Sequence, residues 1–203
     1  MFAKVTLGAS HLNSSGHGTH LTSLSTLIFG AIDTSSYCNF GNNKIGDVGA
    51  AALADAFEVG THLASLTTLI LEGNDIGEPG TVALANALRF GTHLTSLSTL
   101  NLQSNSIGDA GTTALADALK YGTHLASLSA LYVSDNNIGA DGATALSDAI
   151  KHGTHLTCLT TLNLDFNHIG DAGATALADA LQHGTHLSCL TKLGLYCNNI
   201  SVT

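Results

Sequence analysis

Short runs of alternating apolar and polar residues recur along the chain. In one of them, Leu69 and Leu71 alternate with Thr68, Ile70 and Glu72. A period of two residues is typical of a β-strand that buries one face. The pattern therefore predicts a very short strand, with the two leucines in the core and the other side chains on the opposite face.

A segment with helical periodicity follows each predicted strand. Small and apolar residues occupy positions i, i+3, i+4, i+7 and i+8, which form one stripe of an amphipathic helix. The clearest stripes are Gly80, Ala83, Leu84, Ala87 and Leu88; Gly111, Ala114, Leu115, Ala118 and Leu119; and Gly173, Ala176, Leu177, Ala180 and Leu181. Aspartates stand where N-caps or first-turn acids are favoured, at Asp47, Asp109 and Asp171. We predict one helix per unit, packed through this stripe.

The tetrapeptide GTHL sets the period of these units. It occurs six times, with histidines at His20, His62, His93, His124, His155 and His186. From residue 60 onward the copies begin every 31 residues, whereas the first copy lies 42 residues before the second. A fixed period predicts a solenoid whose units stack around a shared core, so that 1–203 forms a single domain. Its units are a degenerate first repeat (1–17), a repeat with an eleven-residue insertion (18–59), regular repeats (60–90, 91–121, 122–152 and 153–183) and an incomplete last repeat (184–203).

The glycine and the histidine of GTHL follow each predicted helix. We expect the glycine to end the helix in a left-handed conformation. The histidine recurs in every full unit, which favours a structural ladder in which the imidazole meets helix carbonyls and the adjoining coil. A metal or catalytic site would need different partners at one place, so metal binding and pH sensing are the less favoured alternatives.

Asparagines follow the strands at a constant distance. They are Asn43, Asn74, Asn105, Asn136, Asn167 and Asn198, and a side-chain amide can both donate to and accept from the backbone at the bend that ends each strand. With these asparagines, segments such as LSTLNLQSNSIG (97–108) resemble the leucine-rich repeat. The helical second half is similar to the ribonuclease-inhibitor-like subfamily, also seen in sensor domains of NOD-like receptors and in Ran GTPase-activating proteins. This resemblance implies a right-handed α/β solenoid, shaped like a horseshoe, with a parallel inner sheet and outer helices.

The composition narrows the classes of partner. The formal net charge is −9 with six lysines and arginines, which disfavours nucleic acid and anionic membranes and favours a protein partner with a basic patch. No signal peptide or membrane span is recognisable, so we expect a cytoplasmic protein. In that compartment Cys158 and Cys189, which share one repeat position, are expected to be reduced thiols in a buried column of small residues. A disulfide between them is the alternative.

Differences between the repeats concentrate on one predicted surface. Core positions barely change, whereas the polar side of the strands and the residues that follow it vary. We call this surface, concave in a horseshoe, the sheet face, and define it by Ile70, Glu72, Asn101, Gln103, Tyr132, Ser134, Asp135, Asn163, Asp165, Phe166 and Tyr196. Its three aromatic residues are the predicted anchors of a partner, since aromatics dominate interface energetics, and its three acids suit a basic patch. The alternative is that exposed sites simply drift.

Two other segments are candidates for binding. The inserted loop, residues 30–41, carries Tyr37 and Phe40 and either binds a partner or folds back over the first units. A column at the helix ends reads Val59, Phe90, Tyr121, His152 and His183. It forms an outer contact surface or, as we favour, packs against the next coil.

Catalytic signatures are missing from the sequence. It has no GxSxG motif, phosphate-binding loop or dinucleotide fingerprint, so we predict a non-enzymatic protein-binding module without metal or cofactor. The alternatives are a regulator of a small GTPase, which Arg89 alone supports poorly, and an architectural segment of a larger receptor or effector. A further alternative function is the ordering of water by the threonines of GTHL, as in ice-binding solenoids. The first and last units are unfinished, so the chain either belongs to something longer or self-associates end to end.

Overall fold

Strands and helices alternate along the part of the chain that the structure describes. The computed structural model describes residues 26–28, 43–59, 64, 66–184 and 189–201. Within these, the elements in chain order are β1 (Thr26–Ile28), α1 (Gly46–Val59), β2 (Thr68–Ile70), α2 (Glu78–Phe90), β3 (Thr99–Asn101), α3 (Gly108–Tyr121), β4 (Ala130–Tyr132), α4 (Ala140–His152), β5 (Thr161–Asn163), α5 (Gly170–His183) and β6 (Lys192–Gly194).

The strands form one parallel sheet in sequence order, β1-β2-β3-β4-β5-β6. Neighbouring strands align in a register of one repeat, so that Leu100 lies beside Leu69 on one side and Leu131 on the other. Each pair of strands is joined through a helix, as a parallel connection requires. The predicted α/β solenoid with a parallel sheet and a layer of helices is therefore confirmed. The degenerate first repeat lies outside the described residues.

The core lies between the sheet and the helices. Leu69 and Leu71 are buried, while their alternating neighbours are half-buried on the other side, as the two-residue period predicts. The helical stripes are wider than predicted, because Thr81 and Thr112 are buried as well. A helix with a neighbour on each side buries more than one stripe, and these threonines satisfy their hydroxyls within their own helix: Thr81 Oγ1 donates to the carbonyl oxygen of Gly77 at 2.8 Å.

The asparagine column joins successive coils at the bend after each strand. Asn105 Nδ2 donates to the carbonyl oxygens of Leu71 and Leu102, each at 3.0 Å. Its Oδ1 accepts from the backbone N–H groups of Asn74 at 3.1 Å and Ile76 at 3.0 Å. The predicted column is confirmed for Asn74, Asn105, Asn136, Asn167 and Asn198, which are buried. Asn43 is exposed, so its predicted membership is wrong.

The aspartates lie in the first turns of their helices, as one of the two predicted alternatives has it, but Asp47 and Asp109 cap the start of the next helix rather than their own. Asp109 lies in the first turn of α3, but its Oδ1 accepts from the backbone N–H groups of Gly139 at 2.7 Å and Gly142 at 2.9 Å. Those groups belong to the start of α4, one repeat further on. A single carboxylate thus satisfies two orphan donors of the next helix.

The four GTHL glycines that the structure describes, Gly91, Gly122, Gly153 and Gly184, do not adopt the predicted left-handed conformation. Gly91 and Gly122 have φ of −68° and −75°, which any residue tolerates. Glycine is required here for space instead, because a Cβ on either would lie 2.4 Å from a helix carbonyl oxygen, that of Ala87 or Ala118.

The GTHL histidines that the structure describes are half-buried at His93, His124 and His155. The Nε2 atom of His93 lies 3.3 Å from the hydroxyl of its own neighbour Thr92 rather than from an adjoining coil. Contacts between coils run through serine hydroxyls: Ser98 Oγ donates to the carbonyl oxygen of Thr67, and Ser129 Oγ to that of Ser98, each at 2.9 Å. Thr160 Oγ1 continues the series by donating to the carbonyl oxygen of Ser129 at 2.9 Å, so serine and threonine make the ladder that was expected of the histidines.

The cysteine column was also misplaced by the sequence interpretation. Cys158 and Cys189 are exposed rather than buried, because their position lies in the turn between helix and strand. Cys158 is a free thiol, so the alternative of a disulfide between the two is wrong.

Candidate functional site: the sheet face

The strands place the predicted binding residues on one side of the sheet. Asp135, Phe166 and Tyr196 are exposed, whereas Ser134 is 8% exposed and adds little contact area. The remaining members are half-buried: Ile70, Glu72, Asn101, Gln103, Tyr132, Asn163 and Asp165. Tyr37 and Phe40 of the inserted loop lie outside the described residues.

Around β2 and β3 the polar groups of the sheet face bind one another. Asn101 Nδ2 donates to Glu72 Oε2 at 3.1 Å, and Asn101 Oδ1 accepts from the backbone N–H of Gln103 at 2.9 Å. A partner that binds here must compete with these bonds. These bonds hold the side chains in an ordered polar arrangement.

Around β5 and β6 the arrangement is more open. Asp165 Oδ1 accepts from the backbone N–H of Tyr196 in the next coil at 2.7 Å. The carboxylate reaches across Gly194, where a Cβ would lie 2.7 Å from both Asp165 Oδ1 and Asn163 Oδ1. Gly194 thus leaves room for Asp165 to hold the backbone of Tyr196 in place.

Phe166 and Tyr196 form an exposed aromatic pair beside Asp165. Their ring centroids lie 5.3 Å apart and their planes meet at 80°, an edge-to-face contact. Phe166 is 54% exposed and Tyr196 is 68% exposed. The sequence placed both on this face, but their contact joins different columns of neighbouring coils and could not be read from repeat spacing.

The backbone of Phe166 is left-handed, with φ of 55°. Gly73 occupies the same repeat position with φ of 63°, where a glycine fits without penalty. A bulky residue in this conformation is an outlier, at a cost of about 1 kcal/mol or more. Neither burial nor backbone preference therefore accounts for a phenylalanine at this position.

The sheet face carries more negative than positive charge. Its acids are Glu72, Asp135 and Asp165, and the structure adds Lys192, exposed at the start of β6. Among the described residues none of these acids forms an ion pair. The sequence interpretation missed Lys192. It could have been found, because Lys192 occupies the repeat position of Thr68 and Thr99, on the side of the strand opposite to the core. The pKa of Tyr196 is raised above its usual value by a hydrogen bond with the Cys197 side chain.

The column at the helix ends is exposed at Phe90, Tyr121, His152 and His183, so the favoured prediction of packing against the next coil is wrong for these residues. Phe90 is 63% exposed and Tyr121 is 51% exposed. The guanidinium carbon of Arg89 lies 5.0 Å from both ring centroids and its Nη1 lies 3.8 Å from Asp117 Oδ2. The rings of Phe90 and Tyr121 pack against cationic side chains rather than an apolar coil, because the helices end with Arg89 and Lys120 beside them.

Ion pairs continue along the same surface from helix to helix. Lys120 Nζ lies 2.6 Å from Asp148 Oδ2, and Lys151 Nζ lies 2.8 Å from Asp179 Oδ2. The hydrogen bond to Asp148 raises the pKa of Lys120, and the bond from Lys151 lowers the pKa of Asp179, with a smaller effect of His183. Each of these three cations, Arg89, Lys120 and Lys151, thus has an acid of the next helix as its partner.

No helix in the described part of the chain is long and apolar enough to cross a membrane. No group of three or more histidine, cysteine, aspartate or glutamate side chains there is arranged to hold a metal ion.

A strand, an asparagine bend and a helix that repeat every 31 residues define an α/β solenoid protein. Residues 39–54, 62–85, 93–116, 124–147 and 155–178, more than half of the chain, match the family described as leucine-rich repeat. The chain belongs to the leucine-rich repeat family. None of the curated proteins matches it.

The similar solved structures are distant in sequence. One is described as leiomodin-1 actin-binding site 2; it is 22% identical with a TM-score of 0.54, over 72% of this chain and 77% of that one. Another is an internalin from Listeria monocytogenes, 21% identical with a TM-score of 0.37, over 70% of this chain and 36% of that one. The first likeness shows the fold alone.

Proposed function

We propose that this chain is a protein-binding module that uses the sheet face. Leucine-rich repeat proteins generally act through protein–protein interaction, and a stacked solenoid offers an extended surface for it. The observation that carries the proposal is the Phe166–Tyr196 pair. Both rings are more than half exposed, and Phe166 keeps a costly left-handed backbone. Exposed, rigid aromatic side chains are typical anchors of an interface.

Charge supports a basic partner. The described sheet face carries three acids, Glu72, Asp135 and Asp165, and one cation, Lys192. The whole chain has a formal net charge of −9. An uncompensated acidic surface speeds association with a basic one and disfavours acidic competitors. The partner that fits best therefore combines a basic patch with an apolar contact for the rings.

A random-peptide display library tests the proposal without a known partner. Peptides selected on the native chain are expected to lose about tenfold or more in affinity for a Phe166→Ala, Tyr196→Ala variant. The matched control is Thr144→Ala, Thr175→Ala, which changes two exposed threonines on the helical side. Both variants must show cooperative unfolding. Peptides that bind the native chain and the aromatic variant equally would move the site off the sheet face.

The ribonuclease-inhibitor-like subfamily remains our proposal for the repeat type. It is supported by the helices of 13 or 14 residues in the second half of each described repeat. We do not extend the proposal to GTPase regulation. Arg89, which would have to reach a nucleotide, is held between Phe90 and Tyr121 of its own chain.

The exposed apolar side chains on α5 and after β6 support a second proposal, self-association through this part of the surface. Leu181 is 44% exposed, whereas Leu119 at the same position two repeats earlier is 4% exposed. Ile200 is also exposed, and exposed apolar side chains of this kind can mark interaction sites. In sedimentation velocity the native chain should associate with rising concentration and Leu181→Glu should not. Val48→Glu, on a residue that is 87% exposed on α1, is the control. Equal sedimentation of all three would remove the proposal.

A further inference from the structure

We propose that the partner of the sheet face presents an arginine side chain to Phe166, Tyr196 and the neighbouring aspartates. This inference rests on the proposed binding function and adds the chemistry of the residue that is recognised. It concerns a small region of β4 to β6 and the residues that follow these strands. We call it the arginine site, and define it by Asp135, Asp165, Phe166 and Tyr196.

The chain itself shows how these groups hold a guanidinium. At the helix ends, Arg89 lies 5.0 Å from the ring centroids of Phe90 and Tyr121 and 3.8 Å from a carboxylate oxygen of Asp117. Two aromatic rings from adjacent coils and one aspartate thus surround one arginine. The arginine site offers the same groups, two rings in contact and aspartates beside them, with no cation of the described residues paired to those aspartates.

The aromatic part of the arginine site is already in place. The edge-to-face contact of Phe166 and Tyr196, at 5.3 Å, leaves ring surface on both side chains open to solvent. A cation over such a face is attracted by the negative potential of the ring. The Tyr196 backbone is fixed by Asp165, so little order has to be gained when a partner binds.

The acids stand on both sides of Phe166. Asp165 directly precedes Phe166 in the sequence. Asp135 occupies the repeat position of Phe166 in the previous coil, and neighbouring coils are about 4.8 Å apart along the sheet. Asp135 is exposed and, in the described part of the chain, neither aspartate forms an ion pair. Two carboxylates flanking a ring match a planar group that stacks and donates at its edges.

Arginine fits this arrangement better than lysine. Its guanidinium is flat, stacks on aromatic faces, and carries five N–H donors directed outward in its plane. A lysine ammonium is a point charge that is more strongly hydrated and has no flat face to stack. Simple attraction to the acidic face would favour both equally, so preference between them is the property that tests the inference.

The test is a titration of the native, isotope-labelled chain, followed by NMR, with Nα-acetylarginine methylamide. The lysine compound of the same design tests charge alone, and the citrulline compound tests shape without charge. The arginine compound should shift the amide signals of Asp135, Phe166 and Tyr196 in a saturable way. It should reach half-saturation at a concentration about fivefold below that of the lysine compound, and citrulline should leave the signals unchanged.

Variants connect the shifts to the arginine site. Phe166→Ala and Asp135→Asn should each weaken the arginine response about threefold or more, while Thr175→Ala on α5 should not change it. Equal responses to arginine and lysine, or a response that Phe166→Ala leaves intact, would overturn the inference.

The selected peptides separate this inference from the proposed function. Peptides that require Phe166 and Tyr196 but carry no arginine would overturn the arginine site and leave the binding function standing. Arginine in those peptides, with loss of affinity after arginine-to-citrulline exchange, is the expected result. Peptides whose affinity is the same for the native chain and the Phe166→Ala, Tyr196→Ala variant would overturn the proposed function itself.

Discussion

Asp109 Oδ1 accepts a hydrogen bond from the backbone N–H of Gly139, 30 residues further along the chain, at 2.7 Å. Asp47 does the same for Gly77, also at 2.7 Å. The matching positions in α2 and α4 are Glu78 and Ala140, so this contact is made by alternate repeats. The solenoid therefore contains two kinds of interface between repeats, one with an aspartate that caps the next helix and one without.

Asp109→Ala is expected to destabilise the chain by about 1–2 kcal/mol, because two N–H groups at the start of α4 lose their acceptor. Urea unfolding followed by circular dichroism measures the change. Glu78→Ala is the matched control: it removes an exposed acid from the same repeat position and should change the free energy of unfolding by less than about 0.5 kcal/mol. Equal effects of the two substitutions would contradict the capping role.

Asn167→Asp should cost about 3 kcal/mol although the shape of the side chain is kept. Asn167 Nδ2 donates to the carbonyl oxygens of Val133 and Leu164, each at 3.0 Å, and a carboxylate cannot donate. Asn167 is 1% exposed, so an ionised replacement would also be buried. Thermal unfolding near neutral pH measures the loss. His168→Asn, next in sequence but exposed, is the control, and a native-like melting temperature for Asn167→Asp would refute the argument.

Phe166→Gly should be more stable than Phe166→Ala by roughly 1 kcal/mol. Both variants lose the ring and its contact with Tyr196, so they differ mainly in the cost of a left-handed backbone with φ of 55°. Both should bind the selected peptides equally weakly. A glycine variant that is the less stable of the two would show that the backbone conformation carries no penalty.

The pH dependence of stability should be less steep in Asp179→Asn than in the native chain. The bond from Lys151 lowers the pKa of Asp179 below its usual value, so the folded state holds fewer protons at this group than the unfolded state. The contribution is complete above the unfolded pKa, about 3.9, and is lost as pH falls through the lower folded value.

Melting temperatures between about pH 6 and pH 2 test this expectation. Asp55→Asn, an exposed position on α1, serves as the control for removal of one negative charge. Added salt should reduce the difference, because Lys151 and Asp179 lie at the surface. Native and Asp179→Asn curves of equal slope would contradict the effect of the ion pair.

Two glycine-to-alanine changes should destabilise for different reasons. In Gly122→Ala the new Cβ would lie 2.4 Å from the carbonyl oxygen of Ala118, and we expect a loss of about 2 kcal/mol. Gly170 has open space around it but a φ of 60°, so Gly170→Ala should cost about 1 kcal/mol. Calorimetry separates the two values. Gly122→Ala with native stability would show that the close approach is not required.

The sequence was sufficient for properties that depend on position within one repeat. The alternation around Leu69 and Leu71 predicts a strand, and the stripe around Leu84 and Leu88 predicts a helix, because each pattern follows from local backbone geometry. The constant period then requires parallel stacking, since no unit can bury its own apolar face. The sheet face followed from the same reasoning, as the side of the strand that the core does not use.

Contacts between repeats required the tertiary structure. Asp109 was predicted as an N-cap or first-turn acid of its own helix, and it does lie in the first turn of α3, but the helix that it caps begins 30 residues away and is set by the offset between coils. The same holds for Gly122, which is needed for a close approach, and for Phe166 and Tyr196, which meet diagonally across neighbouring coils. The chain's own sequence therefore determined the fold and the exposed face, because periodicity is local. Which side chains meet on that face was decided by stacking, because distances between coils depend on the whole assembled solenoid.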